Sequence, residues 1–216
     1  MNKKIFYLFL LLVLVGTIFG GSAYLQTVFS QLTDSIDAYV SRHFFLGAII
    51  FTGLAAFSVL LGPFTSAPLI PFAVVIWHIP LTLAMLMAGW LLGNTGAFWI
   101  GRYLGHPLVA KIVGHKKLDD WLAALQPRLS FPLLLLFRLA TPSETGYVFG
   151  LLKYDFRKYL LLSFLAELPF AFIIVFASDA LTNTGWASFL LLLLAWIVII
   201  SLALYEFRKK FQNGKP

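Results

Sequence analysis

Arg138 sits in the run Leu133-Leu134-Leu135-Leu136-Phe137-Arg138-Leu139-Ala140, with apolar residues on both sides. An arginine in such surroundings is costly unless paired or hydrated, which makes it a functional candidate. Its planar guanidinium holds a phosphate or carboxylate through two parallel hydrogen bonds. The plainer alternative is a structural tie, to Glu144 or to nearby carbonyls. Glu144 follows closely, just past Pro142, where it could pair with Arg138 or carry a proton. Glu167 lies in Phe164-Leu165-Ala166-Glu167-Leu168-Pro169. A lone carboxylate there should face a protein interior or a wet cavity, where it suits proton transfer. A neutral acid bonded to a carbonyl freed by Pro169 is the equal alternative. Asn94 is a further polar side chain in an apolar stretch, able to hydrogen-bond across helices.

Other chemistries lack their residues. His43, His78, His106 and His115 stand at segment ends without metal-ligand spacing, and there is no cysteine. No P-loop, HExxH or G-x-S-x-G occurs. The expectation is therefore no catalytic site, no metal and no cofactor.

The elements that must position these residues are apolar. Of 216 residues, 60% are hydrophobic and only 12% charged, about half the charged share of a soluble domain. Mean hydropathy is +0.89. Such a chain cannot cover itself with polar side chains, so lipid is part of its solvent. The net charge of +7 does not point to nucleic acid, because the basic residues flank apolar segments, as the positive-inside rule expects. It fits a basic surface facing anionic lipid headgroups.

Apolar stretches cover residues 5–29, 44–61, 72–104, 129–152 and 159–204, the last splitting into spans 159–180 and 186–205 around Asn183-Thr184-Gly185. The first is too long for a signal-peptide core and reads as an uncleaved anchor. Two stretches are broken. Gly62-Pro63, Pro68 and Pro71 interrupt one, and Pro132 and Pro142 flank Arg138 in the other. A helix broken at membrane depth must be buried in protein or line a wet cavity. The reading is an all-α membrane protein with about four full spans and two opposed re-entrant hairpins, residues 44–77 and 129–152. With the N-terminus cytoplasmic and residues 80–104 spanning inward, every basic residue except Arg42 and Arg138 falls on the cytoplasmic side. Both termini are then cytoplasmic, and a bacterial inner membrane is the expected location.

The connections fit this plan. Residues 30–43 and 105–128 mix apolar and polar positions, as interfacial helices do. Gly89, Gly93, Ala97, Gly101 and Gly105 recur every four residues, a smooth stripe for close helix packing. The hairpin-then-span plan occurs twice, as in inverted-repeat transporters. Nothing fixes the oligomeric state, which leaves room for a homo-oligomer. Three regions follow: an anchor and interfacial helix (1–43), a core (44–180), and a final helix with a basic tail (181–216).

Two stretches resemble the DedA superfamily, also called the SNARE-associated or VTT-domain family. Residues 89–105 are similar to its glycine-rich helix, G-D-x-x-x-Y-x-x-G-R-x-x-G, here with Asn94 for the aspartate and Phe98 for the tyrosine. Residues 137–156, from Phe137-Arg138 through Pro142 and Gly150 to Phe156, are similar to its arginine-proline hairpin. The first hairpin lacks the family's glutamate, and Glu144 stands where a second arginine is common, which marks a divergent member. The resemblance implies opposed re-entrant hairpins enclosed by spans, and movement of lipids such as polyprenyl phosphates or phospholipids. It implies Arg138 as the headgroup contact.

The expected function is a flippase or scramblase of a phosphate-bearing lipid. Arg138 would hold the headgroup, Glu144 would gate it or compete for Arg138, Glu167 would relay protons, and Pro142 and Asn94 would shape the site. The expected partners are membrane lipids with anionic headgroups. A proton-coupled small-solute transporter and a non-transporting membrane organiser are the alternatives.

Overall fold

A computed structural model describes residues 31, 40, 42–61, 66–125, 130–141 and 145–180, with isolated positions between 191 and 205. The chain divides into two units, Met1–Phe44 and Phe45–Pro216. The predicted anchor (5–29) and final span (186–205) lie largely outside the described residues. Every regular element among the described residues is helical.

Helix α1 is Phe44–Leu60, and a short 3-10 turn, Ala67–Leu69, leads into α2, Ile70–Val113. Two bends divide α2 into arms 70–77, 79–104 and 106–113. His78 adopts φ 58° and ψ 170°, and Gly105 adopts φ 73° and ψ −176°. Each precedes a proline by two residues, Pro80 and Pro107. Each proline then sits in the first turn of the arm that follows, where its missing N–H removes no helical hydrogen bond. At the first bend the Thr82 hydroxyl donates to the Ala73 carbonyl at 2.9 Å, bracing one arm on the next. At the second, glycine takes the positive φ without steric cost.

Helix α3 (His115–Leu125) follows, then α4 (Phe131–Ala140), α5 (Gly146–Leu151) and α6 (Phe156–Asp179). Asp155 caps α6 by accepting from the Lys158 amide at 2.9 Å. The α6 helix has 24 residues, so it rises roughly 36 Å and can cross a hydrocarbon core of about 30 Å. Among the described residues, two helical stretches are long and apolar enough to cross a membrane, Ala67–Val113 and Phe156–Asp179. The apolar helices α1 and α4 have 17 and 10 residues. At 10 residues, α4 rises only about 15 Å and cannot cross alone.

Both expected hairpin regions are helix–break–helix. Across the first, Phe51 of α1 meets Trp77 of α2 with ring centroids 5.6 Å apart. Across the second, Phe137 of α4 meets Phe149 of α5 at 6.3 Å. Helix α2 packs on α5 and α6, and α4 packs on α6. The core lies where these elements meet. There Tyr159 of α6 stacks on Phe98 of α2 at 4.9 Å and touches Phe149 at 5.2 Å.

The glycine stripe explains how closely α2 approaches its neighbours. A Cβ on Gly89 would strike the Thr52 carbonyl and Ala55 of α1, and one on Gly93 would strike Ala56 and Val59. A Cβ on Gly101 would strike the Tyr147 backbone of α5, while Gly150 of α5 lies as close to the Phe98 carbonyl. Gly105 does not belong to this packing. Its position would meet only Pro107, and its positive φ serves the bend. Four-residue spacing alone cannot separate a packing glycine from a hinge glycine.

Candidate functional site

Arg138, Glu167 and Asn94 come from three helices and meet in one buried cluster. Arg138 is the third-last residue of α4, a helix that starts at Phe131-Pro132, where proline is tolerated because the first turn has no bonded amides. Glu167 lies midway along α6, and Asn94 midway along the central arm of α2. All three are buried, with Arg138 at 3% exposure, Glu167 at 8% and Asn94 at 0%.

The contacts form a closed triangle. Arg138 Nη2 donates to Glu167 Oε1 at 2.7 Å and to Asn94 Oδ1 at 2.6 Å. Asn94 Nδ2 donates to the same Glu167 Oε1 at 2.6 Å and to the Trp90 carbonyl at 2.9 Å. Every neighbour agrees on the orientation of the carboxamide. A flipped amide would aim its N–H groups at the guanidinium and its oxygen at the carboxylate. Two residues support the triangle. Tyr159 is fully buried, and its hydroxyl lies 3.1 Å from Asn94 Oδ1 and 3.2 Å from the Asn94 carbonyl, so it donates to either. Arg138 Nη1 donates to Thr145 Oγ1 at 3.2 Å. Nearby, the Tyr147 hydroxyl donates to the Leu60 carbonyl at 2.6 Å, tying α5 to the end of α1.

Glu167 is therefore not the lone carboxylate expected from its apolar surroundings. Its partner is the guanidinium of α4, brought in by the packing of α4 on α6. Burying two ions is expensive, and mutual attraction plus hydrogen bonds offsets that cost only where the geometry is good. Asn94 hydrogen-bonds across helices to both members of the pair. Pro142 and Glu144, expected beside Arg138, lie outside the described residues. Tyr159 and Thr145 were not singled out by sequence. Tyr159 had a signal, since it stands two helical turns from Glu167 on one face of α6.

A family model for the VTT domain matches residues 6–180. The chain belongs to the VTT-domain family. That match spans the whole described bundle, including the glycine-packed helix, Arg138 and Glu167. The VTT domain is the DedA/SNARE-associated domain of a membrane-transporter family, so this VTT-domain chain, with its long apolar helices, is an integral membrane protein. No curated protein and no solved structure matches the chain. Among the described residues, no group of histidine, aspartate and glutamate side chains is arranged to hold a metal ion.

Proposed function

We propose that this VTT-domain protein moves a phosphate-bearing lipid across a bilayer, with Arg138 as the group that engages the headgroup. One observation carries the reading. A guanidinium is buried on a ten-residue helix too short to span, where three apolar helices converge. Burying a permanent cation there is costly, and an anion-binding role accounts for it better than packing does. In this reading the two broken segments, 44–77 and 129–152, are opposed re-entrant hairpins. A headgroup crosses between them while its tails stay in lipid. Asn94 and Glu167 hold Arg138 in place, and Glu144 and Pro142 shape the approach.

The orientation draws on exposed charge. Arg102 Nη1 donates to the Tyr154 carbonyl at 3.2 Å, which brings exposed Arg102 to the turn with exposed Lys153 that leads into α6, whose first turn carries exposed Arg157 and Lys158. This basic end of the bundle is read as cytoplasmic, in a bacterial inner membrane with both termini inside. The test is reconstitution into liposomes, following a labelled phospholipid and a polyprenyl phosphate. Wild type should translocate at least one of them. Translocation of neither lipid by folded wild-type protein would sink the reading.

A further inference from the structure

We propose that Glu167 Oε1 occupies an oxyanion seat formed by Arg138 Nη2 and Asn94 Nδ2, and that a phosphate oxygen of the ligand takes this seat by displacing it. The inference rests on the reading of Arg138 as an anion-binding group and deepens it. Two donors from different helices, one cationic and one neutral, converge on a single oxygen at 2.7 and 2.6 Å. Such convergence is how proteins hold oxyanions.

The carboxylate fits this seat poorly. Its other oxygen, Glu167 Oε2, is buried and has no hydrogen-bond partner among the described residues. A buried anionic oxygen without a donor is penalised, so Glu167 satisfies the seat with one oxygen and loses on the other. Thr145, at the start of α5, holds the far side of the guanidinium through Nη1, so Arg138 keeps an anchor while Nη2 changes partner. Arg138 Nη2 has two hydrogens and donates one to Asn94 Oδ1, so Glu167 and a phosphate oxygen compete for the other. The buried pair is the seat filled by the protein's own carboxylate.

Thermal unfolding of the full chain in detergent tests this. Wild type, Glu167→Ala, Glu167→Gln and the double variant Arg138→Met/Glu167→Met are compared in sodium phosphate, in micelles doped with an alkyl phosphate, and in sodium chloride at matched ionic strength. Glu167→Ala empties the seat and should gain about 3–6 °C over chloride once the phosphate compound exceeds its Kd tenfold. Glu167→Gln leaves a neutral, more easily displaced occupant and should gain less. Wild type should gain least, and the double variant nothing. Rescue by inorganic phosphate identifies a seat for the free anion, and rescue by the alkyl phosphate alone identifies a headgroup seat. Either supports the proposal. If Glu167→Ala does not fold in chloride, folding it in phosphate is the same support, and Glu167→Gln supplies the measured shift. Equal shifts in phosphate and chloride, an equal gain in the double variant, or failure of both single variants to fold in every anion would overturn it. Rescue without translocation in liposomes would leave the seat standing and remove the transport reading.

Discussion

Arg138 and Glu167 are 29 positions apart in sequence and meet through a 2.7 Å ion pair buried between α4 and α6. Removing either one alone breaks a buried ion pair, whereas removing both takes the opposite charges away together. Arg138→Ala or Glu167→Ala should each cost about 3–5 kcal/mol, whereas Arg138→Met/Glu167→Met should recover most of that loss. Thermal unfolding of the three variants in one detergent checks the pattern. Additive losses in the double variant would mean that the two charges do not depend on each other.

Asn94 is neutral where a carboxylate would be one atom different. Asn94→Asp removes the donor to Glu167 Oε1 and sets a second acid beside the first, with one arginine between them. It should destabilise by about 1–3 kcal/mol, and Asn94→Asp/Glu167→Gln should restore much of the loss by returning to one acid and one amide. Unfolding midpoints of the single and double variants decide the matter, and a double variant weaker than Asn94→Asp would contradict the arrangement.

Much of this was legible in the sequence, and the parts that were not share a cause. Proline acts locally, so the break near Trp77–Pro80 could be read from the residues themselves, whereas the hinge at Gly105 was hidden in the glycine spacing. Arg138, Glu167 and Asn94 also stood out individually, because a polar side chain in an apolar run is conspicuous wherever it folds. Their union was not legible. Asn94 and Arg138 are 44 positions apart, and only the packing of α2, α4 and α6 brings them together. Sequence proximity pairs Arg138 with Glu144, which lies outside the described residues. Tyr159 was missed because an aromatic residue in an apolar helix raises no alarm until its hydroxyl is seen against Asn94.

The glycines divide by what surrounds them. Gly101→Ala drives a methyl group into the Tyr147 backbone and should cost about 1–3 kcal/mol, the usual range for overpacking. Gly53, exposed on α1, has nothing within 4 Å of an added Cβ. Gly53→Ala should stabilise by about 0.5–1 kcal/mol through helix propensity. Thermal unfolding reads both signs, and two changes of the same sign would show that the α2–α5 contact is not close.

The link from α5 to α1 rests on one hydroxyl. Tyr147→Phe keeps the ring and removes the donor to the Leu60 carbonyl, at a cost of about 0.5–1.5 kcal/mol. The same change should speed labelling of a single cysteine placed at Leu61, an experiment made clean by the absence of native cysteines. Unchanged labelling and stability would mean that the bond does not hold the end of α1.

The most direct measurement is lipid translocation in liposomes by Arg138→Met/Glu167→Met, compared with wild type. This variant should keep its fold, because both charges leave together. It should lose movement of the phosphate-bearing lipid that wild type carries, because the headgroup has no guanidinium to engage. Translocation at the wild-type rate by the folded double variant would contradict the account.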